Sequence, residues 1–147
     1  MMTVREGIER LLFAYCDGID RGDLVATSEL FGTDGLYGQV DGPAACGASQ
    51  VLAAMQHSVH MYDGVPRTRH IVTNIVIDLN DDQITAQCRS YVQVLHQAPG
   101  GVLGPVAAGT YIDRVYLTNG SWKFAERRML LELIGDMSTH LLQNPFA

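Results

Sequence analysis

Helices first and an antiparallel sheet second, in one α+β domain, is the architecture expected from this sequence. Up to about residue 62 the apolar residues recur at spacings of three and four, and from residue 69 onward they alternate. The alternating runs are divided by turn segments, and successive strands joined in that way run antiparallel. Helices segregated ahead of such a sheet cover one of its faces. A chain of 147 residues fits a single domain over 1–147. Folding at this size hides about two-thirds of the unfolded surface, enough for one core hollowed by a pocket. No repeat, linker or low-complexity segment divides the chain.

Thr3 and Glu6 make a T-x-x-E capping box, in which each side chain satisfies a free backbone N–H at a helix start. The helix they open covers residues 4–20, with Ile8, Leu11, Leu12, Tyr15 and Ile19 on one apolar face and Gly22 as its left-handed cap. Asp23 caps a shorter second helix anchored by Leu24, Leu30 and Phe31. "LYGQV" reads as a short strand and "DGPAACG" as a loop. "ASQVLAAMQHSVHMY" reads as a third helix with Val51, Leu52, Met55 and Val59 on one side. Four strand-like runs follow, separated by "LNDDQ", "APGGVLGP" and "TNGS"; Asn119-Gly120 in the last is the strongest hairpin signal. One sheet face is left for a second copy of the chain, with Tyr91, Val115 and Leu117 as the residues it would cover.

Ten basic against sixteen acidic residues give a net charge of -6, so the basic footprint of a nucleic-acid binder is missing. The opening "MMTVREGIERLLFAYC" carries charges inside its apolar pattern, unlike a signal peptide. Nothing later approaches the ~18 consecutive apolar residues of a membrane span. Cys16, Cys46 and Cys88 are odd in number and form no C-x-x-C pair. A disulfide framework and a thiolate zinc site are therefore not expected, and buried thiols in a reducing cytoplasm are.

The candidate chemistry lies in histidines, aspartates and tyrosines. His70 opens the run "HIVTNIVIDL", and His96 falls on the apolar face of the next strand with Ala86, Cys88, Ser90, Val92 and Val94. Simple alternation leaves the direction of His70 open, because Ile71, Thr73, Ile75, Ile77 and Leu79 form the more apolar face of its own strand. A bend or a bulge near the strand start would re-aim it. An imidazole near its ordinary pKa takes up a proton, and a carboxylate on its other nitrogen fixes the tautomer and stabilises the imidazolium. Asp20 is a candidate partner, with Asp17, Asp23, Asp34 and Asp78 as competitors on sequence alone. His57 and His60 stand at i and i+3 without an acidic companion, which suits a solvated or pocket-edge helix face better than a metal site. No G-x-S-x-G or P-loop is present. Tyr15, Tyr37, Tyr91, Tyr111 and Tyr116 are amphipathic packing residues, any of which can also donate a hydrogen bond to a ligand.

Taken in order, these elements resemble the cone-shaped fold of nuclear transport factor 2 and of the SnoaL-like polyketide cyclases, over essentially the whole chain. That resemblance implies three helices packed on a curved sheet, mixed at its edge, that encloses a pocket. Within it, "DGIDRGDL", "RTRHIVTN", "VLHQ" and "GSWKFAER" are similar to scytalone dehydratase and related small dehydratases. The resemblance implies catalytic roles for Asp20, His70 and His96, with Tyr15 matching a tyrosine of the bile-acid dehydratase branch. It implies substrate contacts from Tyr37, from Arg127, which resembles a leaving-group arginine of lindane dehydrochlorinase, and from Tyr111 on the third meander strand. Ile19, Gly109 and Tyr111 stand where scytalone dehydratase has a tyrosine, a serine and an asparagine.

The expected activity is a lyase reaction without cofactor or metal. His70 removes a proton beside the carbonyl of a small apolar or aromatic cyclic ketone, a tyrosine polarises that carbonyl, and His96 or Arg127 assists departure of water. Ketosteroid isomerisation, polyketide cyclisation and dehydrohalogenation start with the same step and remain alternatives, as does a non-catalytic binding or subunit protein. Relatives form dimers or trimers, so a homo-oligomer is expected, with neither nucleic acid nor membrane as partner. The tail "STHLLQNPFA" either closes the pocket or packs Leu141, Leu142 and Phe146 on the surface.

Overall fold

The computed structural model describes residues 1–142, so the packing expected of Phe146 lies outside the described residues. In chain order the elements are α1 (Val4–Arg21), α2 (Leu24–Glu29), β1 (Leu36–Gln39), β2 (Ala44–Cys46), α3 (Gly47–Ser58), β3 (Thr68–Leu79), β4 (Thr85–His96), β5 (Gly104–Thr118) and β6 (Ser121–Ile134). Both halves of the Thr3–Glu6 capping box form, and Gly22 closes α1 at φ 76°. A Cβ there would lie 2.0 Å from the Gly64 carbonyl oxygen, so glycine is required by space as well as by backbone angle. Asp23 caps α2 by accepting from the Ala26 N–H. Asn119 and Gly120 both take positive φ, as a two-residue hairpin turn demands.

The strands make one six-stranded sheet in the order β2-β1-β6-β5-β4-β3. Its pairings are antiparallel except β1 with β6, which is parallel. The helices pack on one face of this curved sheet, around a core that includes Ile8, Leu12, Phe31, Val51, Val115 and Phe124.

Several elements depart from the sequence reading. "DGPAACG" contains β2, because β1 leaves an open edge to which Ala44–Cys46 adds by antiparallel pairing. The third helix stops at Ser58, and Val59 turns extended to bridge Leu141 of the tail. His57 and His60 therefore do not share a helix; His60 stacks on Tyr62 with ring centroids 4.4 Å apart. Val115 pairs across from Ala86 and is core, and Leu117 is half-buried against that core, so neither belongs to the free face. The bulged register of β5 against β6, between Arg114 and Val115, is not visible in an alternating pattern. The free face carries Ile71, Tyr91, Ile112 and Leu130 instead, all exposed. Cys46 is exposed, whereas Cys16 and Cys88 are buried.

Candidate active site

The direction of His70 is settled by a bulge in β3. Pairing with β4 runs in register from Thr68↔His96 to Thr73↔Tyr91 and resumes at Val76↔Arg89, with Asn74 at φ 53° in the gap. Before the bulge, His70 and Val72 share the helix-covered face with Val92 and Val94; after it, Ile77 and Leu79 do. The extra residue thus lets the apolar run pack inward without turning His70 out.

At the mouth of that strand the last turn of α1 delivers Asp20. Its Oδ1 lies 2.6 Å from His70 Nδ1 and accepts from the Thr68 hydroxyl at 2.8 Å, while Oδ2 accepts from the His70 backbone N–H at 2.9 Å. Both side chains of the ion-pair couple are buried, His70 at 9% and Asp20 at 6% exposure. Burial pushes the Asp20 carboxyl up, but the His70 and Thr68 hydrogen bonds outweigh it and hold the pKa below the ordinary value. A carboxylate can only accept, so Nδ1 carries the proton and Nε2 is the basic nitrogen of the neutral ring.

His70 lines a cavity of about 560 Å³ together with Tyr15, Tyr37, Tyr111, Val92, Val94, Met129 and Leu131. That volume is of the size that takes a small organic ligand, and the wall is mainly apolar. The Tyr15 and Tyr37 hydroxyls are 3.1 Å apart, and the Tyr111 ring meets the Tyr15 ring edge-on at 5.8 Å. Burial raises the pKa of all three phenols, so each stays a neutral donor.

Arg127 is placed differently from expectation. It is fully buried and does not line the cavity; Nε and Nη2 donate to the two Asp113 carboxylate oxygens at 2.8 Å each. Its guanidinium lies 4.3 Å from the Tyr15 ring centroid, 3.8 Å from Tyr111 and 4.4 Å from Phe124. The position across β5 and β6 pairs Asp113 with Arg127 directly, and a buried cation takes the carboxylate offered to it. Arg127 therefore supports the tyrosine layer from behind and does not itself line the cavity. Asp113, its partner, was not singled out from sequence, where an alternating strand with one acidic residue on its inner face carries no signal of pairing.

His96 also stands one layer back. Its Nδ1 donates to the Arg67 carbonyl at 3.1 Å, and its ring packs between Tyr62 at 5.9 Å and His140 at 5.7 Å without lining the cavity. The site residue missed from sequence is His140, buried in the cavity wall beside Met137 and Leu141. Burial, with His70 and His96 near, lowers its pKa to about 4. A lone histidine in a segment without periodicity gives no sequence signal; only Leu141 and Leu142 hinted that the tail packs. His57, by contrast, does reach the pocket edge.

Comparison with known proteins accords with this architecture. The family model of the SnoaL-like domain matches residues 1–128. A search among curated proteins finds no match. Among solved structures, a candidate scytalone dehydratase from Novosphingobium aromaticivorans is 24% identical, with a TM-score of 0.72 over 90% of this chain and 86% of that one. An NTF2-like protein with a cystatin-like fold from the same organism is 23% identical, with a TM-score of 0.71 over 86% and 80%. The beta subunit of a candidate aromatic-ring-hydroxylating dioxygenase, again from that organism, is 20% identical, with a TM-score of 0.68 over 88% and 89%. At these identities the likeness is one of fold.

Proposed function

The chain belongs to the SnoaL-like domain family, within the NTF2-like superfamily, and from that membership and the geometry of its cavity we propose that it is a cofactor-independent lyase. The reaction is elimination of water from a small hydroxylated cyclic ketone. The observation that carries the reading is the buried Asp20–His70 contact at 2.6 Å, opening on an apolar cavity that also holds the Tyr15–Tyr37 hydroxyl pair.

In this scheme the ketone oxygen accepts from the tyrosine pair, which lowers the cost of enolate formation. Nε2 of His70 takes the proton from the carbon beside the carbonyl, and Asp20 stabilises the imidazolium that results. The C–H electron pair forms the new C=C bond as the β-hydroxyl leaves. The proton now on His70 combines with that hydroxide to give water, so the base is regenerated. His96 does not line the cavity, and the scheme gives it no step.

A pairing of this kind also serves isomerisation or ring closure, which share the first step. The likeness to an oxygenase beta subunit brings in a binding role, but the dyad and the tyrosine pair favour chemistry. A direct test is 3-hydroxy-1-tetralone, whose dehydration gives 1-naphthol with a large change in absorbance. His70→Ala should lose about 100 to 10,000-fold in turnover, the range for one positioned acid–base group, while its thermal melt stays near that of the unmodified protein. Equal turnover in the two proteins would reject the scheme.

A further inference from the structure

A second cavity, of about 920 Å³, lies outside the one that holds His70, and the two have no lining residue in common. It is a groove between the last turn of α1, the chain entering β3, the end of β4 and the chain before β5. The dyad is the partition. Asp20 and Thr68 border the outer groove, His70 borders the inner cavity, and all three side chains are largely buried where they meet. A molecule in the groove is therefore separate from one in the cavity.

Three arginines line the groove: Arg21, Arg67 and Arg69. The chain has only ten basic residues and a net charge of -6, so three at one place reverse its charge locally. Among the described residues none of the three makes an ion pair, whereas Arg5, Arg114, Arg127 and Arg128 all do. The acids that face them are Asp17 and Asp20, and both Asp20 oxygens are already taken by Thr68 and His70. In the groove lining, Asp17 is thus the one exposed carboxylate against three exposed guanidinium side chains.

Arg67 is held in an unfavourable backbone conformation. Its φ is 56°, in the left-handed region that glycine and asparagine tolerate and other residues rarely adopt. Strain of this kind gathers at binding sites. Its Nε donates to the Gln97 carbonyl at 2.6 Å, and the Gln97 N–H donates back to the Arg67 carbonyl at 3.2 Å. Among the described residues the two Nη groups have no partner, and they form a positioned fork of the kind that matches two phosphate oxygens. Arg69 stands directly across the β3–β4 ladder from Leu95, and Leu103, 62% exposed, extends an apolar strip beside the charges. A single carboxylate would answer one guanidinium, so three call for a multiply charged anion, and the apolar strip calls for a carbon body attached to it.

We propose that this groove is a second binding site, for an organic diphosphate: its phosphate oxygens lie on Arg21, Arg67 and Arg69, and its carbon body lies against Leu95 and Leu103.

Calorimetric titration of the full chain with ADP and with inorganic pyrophosphate tests this. ADP should bind, and more tightly than pyrophosphate, which has the charge without the carbon body. The double variant Arg67→Asn/Arg69→Gln keeps a residue that accepts the left-handed backbone and a polar strand position. It should weaken ADP binding about tenfold or more, as expected for the loss of charge-assisted hydrogen bonds, with its thermal melt near that of the unmodified protein. Arg89→Gln, exposed on β4 but outside the groove, should stay within about twofold of the unmodified protein. Absence of ADP binding overturns the proposal, as does full ADP affinity in the double variant. An equal loss in Arg89→Gln and the double variant overturns it too, since the attraction would then belong to the surface at large. Pyrophosphate binding as tightly as ADP overturns the organic class. The lyase reading is tested separately, because these substitutions leave His70 and the tyrosines in place.

Discussion

Asp20 and His70 form the centre of the site because one carboxylate is asked to accept three hydrogen bonds at a helix end, from the His70 ring, its backbone N–H and the Thr68 hydroxyl. That arrangement fixes the ring before any ligand arrives, the preorganisation that the proposed reaction calls for. Tyr37 is the next residue to examine, since its hydroxyl is paired with Tyr15 at 3.1 Å and both line the cavity. Tyr37→Phe removes one donor to the developing enolate and should lower kcat on 3-hydroxy-1-tetralone by about 100 to 1,000-fold. Steady-state kinetics beside a thermal melt separate that loss from misfolding. At this scale the residues alone offered Asp20 among several aspartates, the resemblance carried by "DGIDRGDL" and "RTRHIVTN" picked out Asp20 and His70, and the tyrosine stripe supplied Tyr15, Tyr37 and Tyr111. The sequence was silent where a role depends on a partner far along the chain. Arg127 reads as a substrate contact until Asp113, on the adjoining strand, is seen to claim it.

The elements show why direction is harder to read than type. All three helices and the four meander strands are written in capping residues, spacing and turn signals, since those are local. The bulge in β3 is not, because Asn74 looks like any polar strand residue until its φ of 53° is known. Asn tolerates that left-handed conformation, whereas a β-branched residue does not. Asn74→Val should therefore destabilise the fold by about 1–2 kcal/mol and impair turnover, as the strand would straighten at the expense of His70; urea denaturation measures the first effect. The tail gives a second prediction. In the unfolded chain His140 takes its proton near 6.5, but in the folded one only near 4. Between those values the unfolded chain holds the extra proton, so the His140 contribution to stability falls as pH drops from about 6.5 toward 4. His140→Leu lacks this linkage, and its melting temperature should decline less between pH 7 and pH 4.5 than that of the unmodified protein; parallel declines would contradict it.

At the scale of the molecule, helices cover one face of a curved sheet and leave a cavity of about 560 Å³ between them. The sequence carried this far, because the change from helical to alternating period is a global pattern. It could not show which strand sits beside which, since the parallel β1–β6 contact joins residues ninety positions apart, such as Leu36 and Glu126. That contact is what brings Tyr37 to the cavity edge beside Met129 and Tyr15. The charge and apolar balance had already set aside nucleic acid, and no helix among the described residues is long and apolar enough to cross a membrane. In the proposed function the arrangement removes a proton next to a carbonyl inside an apolar space, whichever bond breaks afterwards. Deuterium exchange at C2 of 1-tetralone in D₂O, followed by proton NMR, reads that step alone, because this ketone has nothing to expel. The unmodified protein should exchange these protons well above the buffer rate, Asp20→Asn should do so more slowly, and His70→Ala should fall to background; exchange at the same rate in His70→Ala and the unmodified protein would contradict the account.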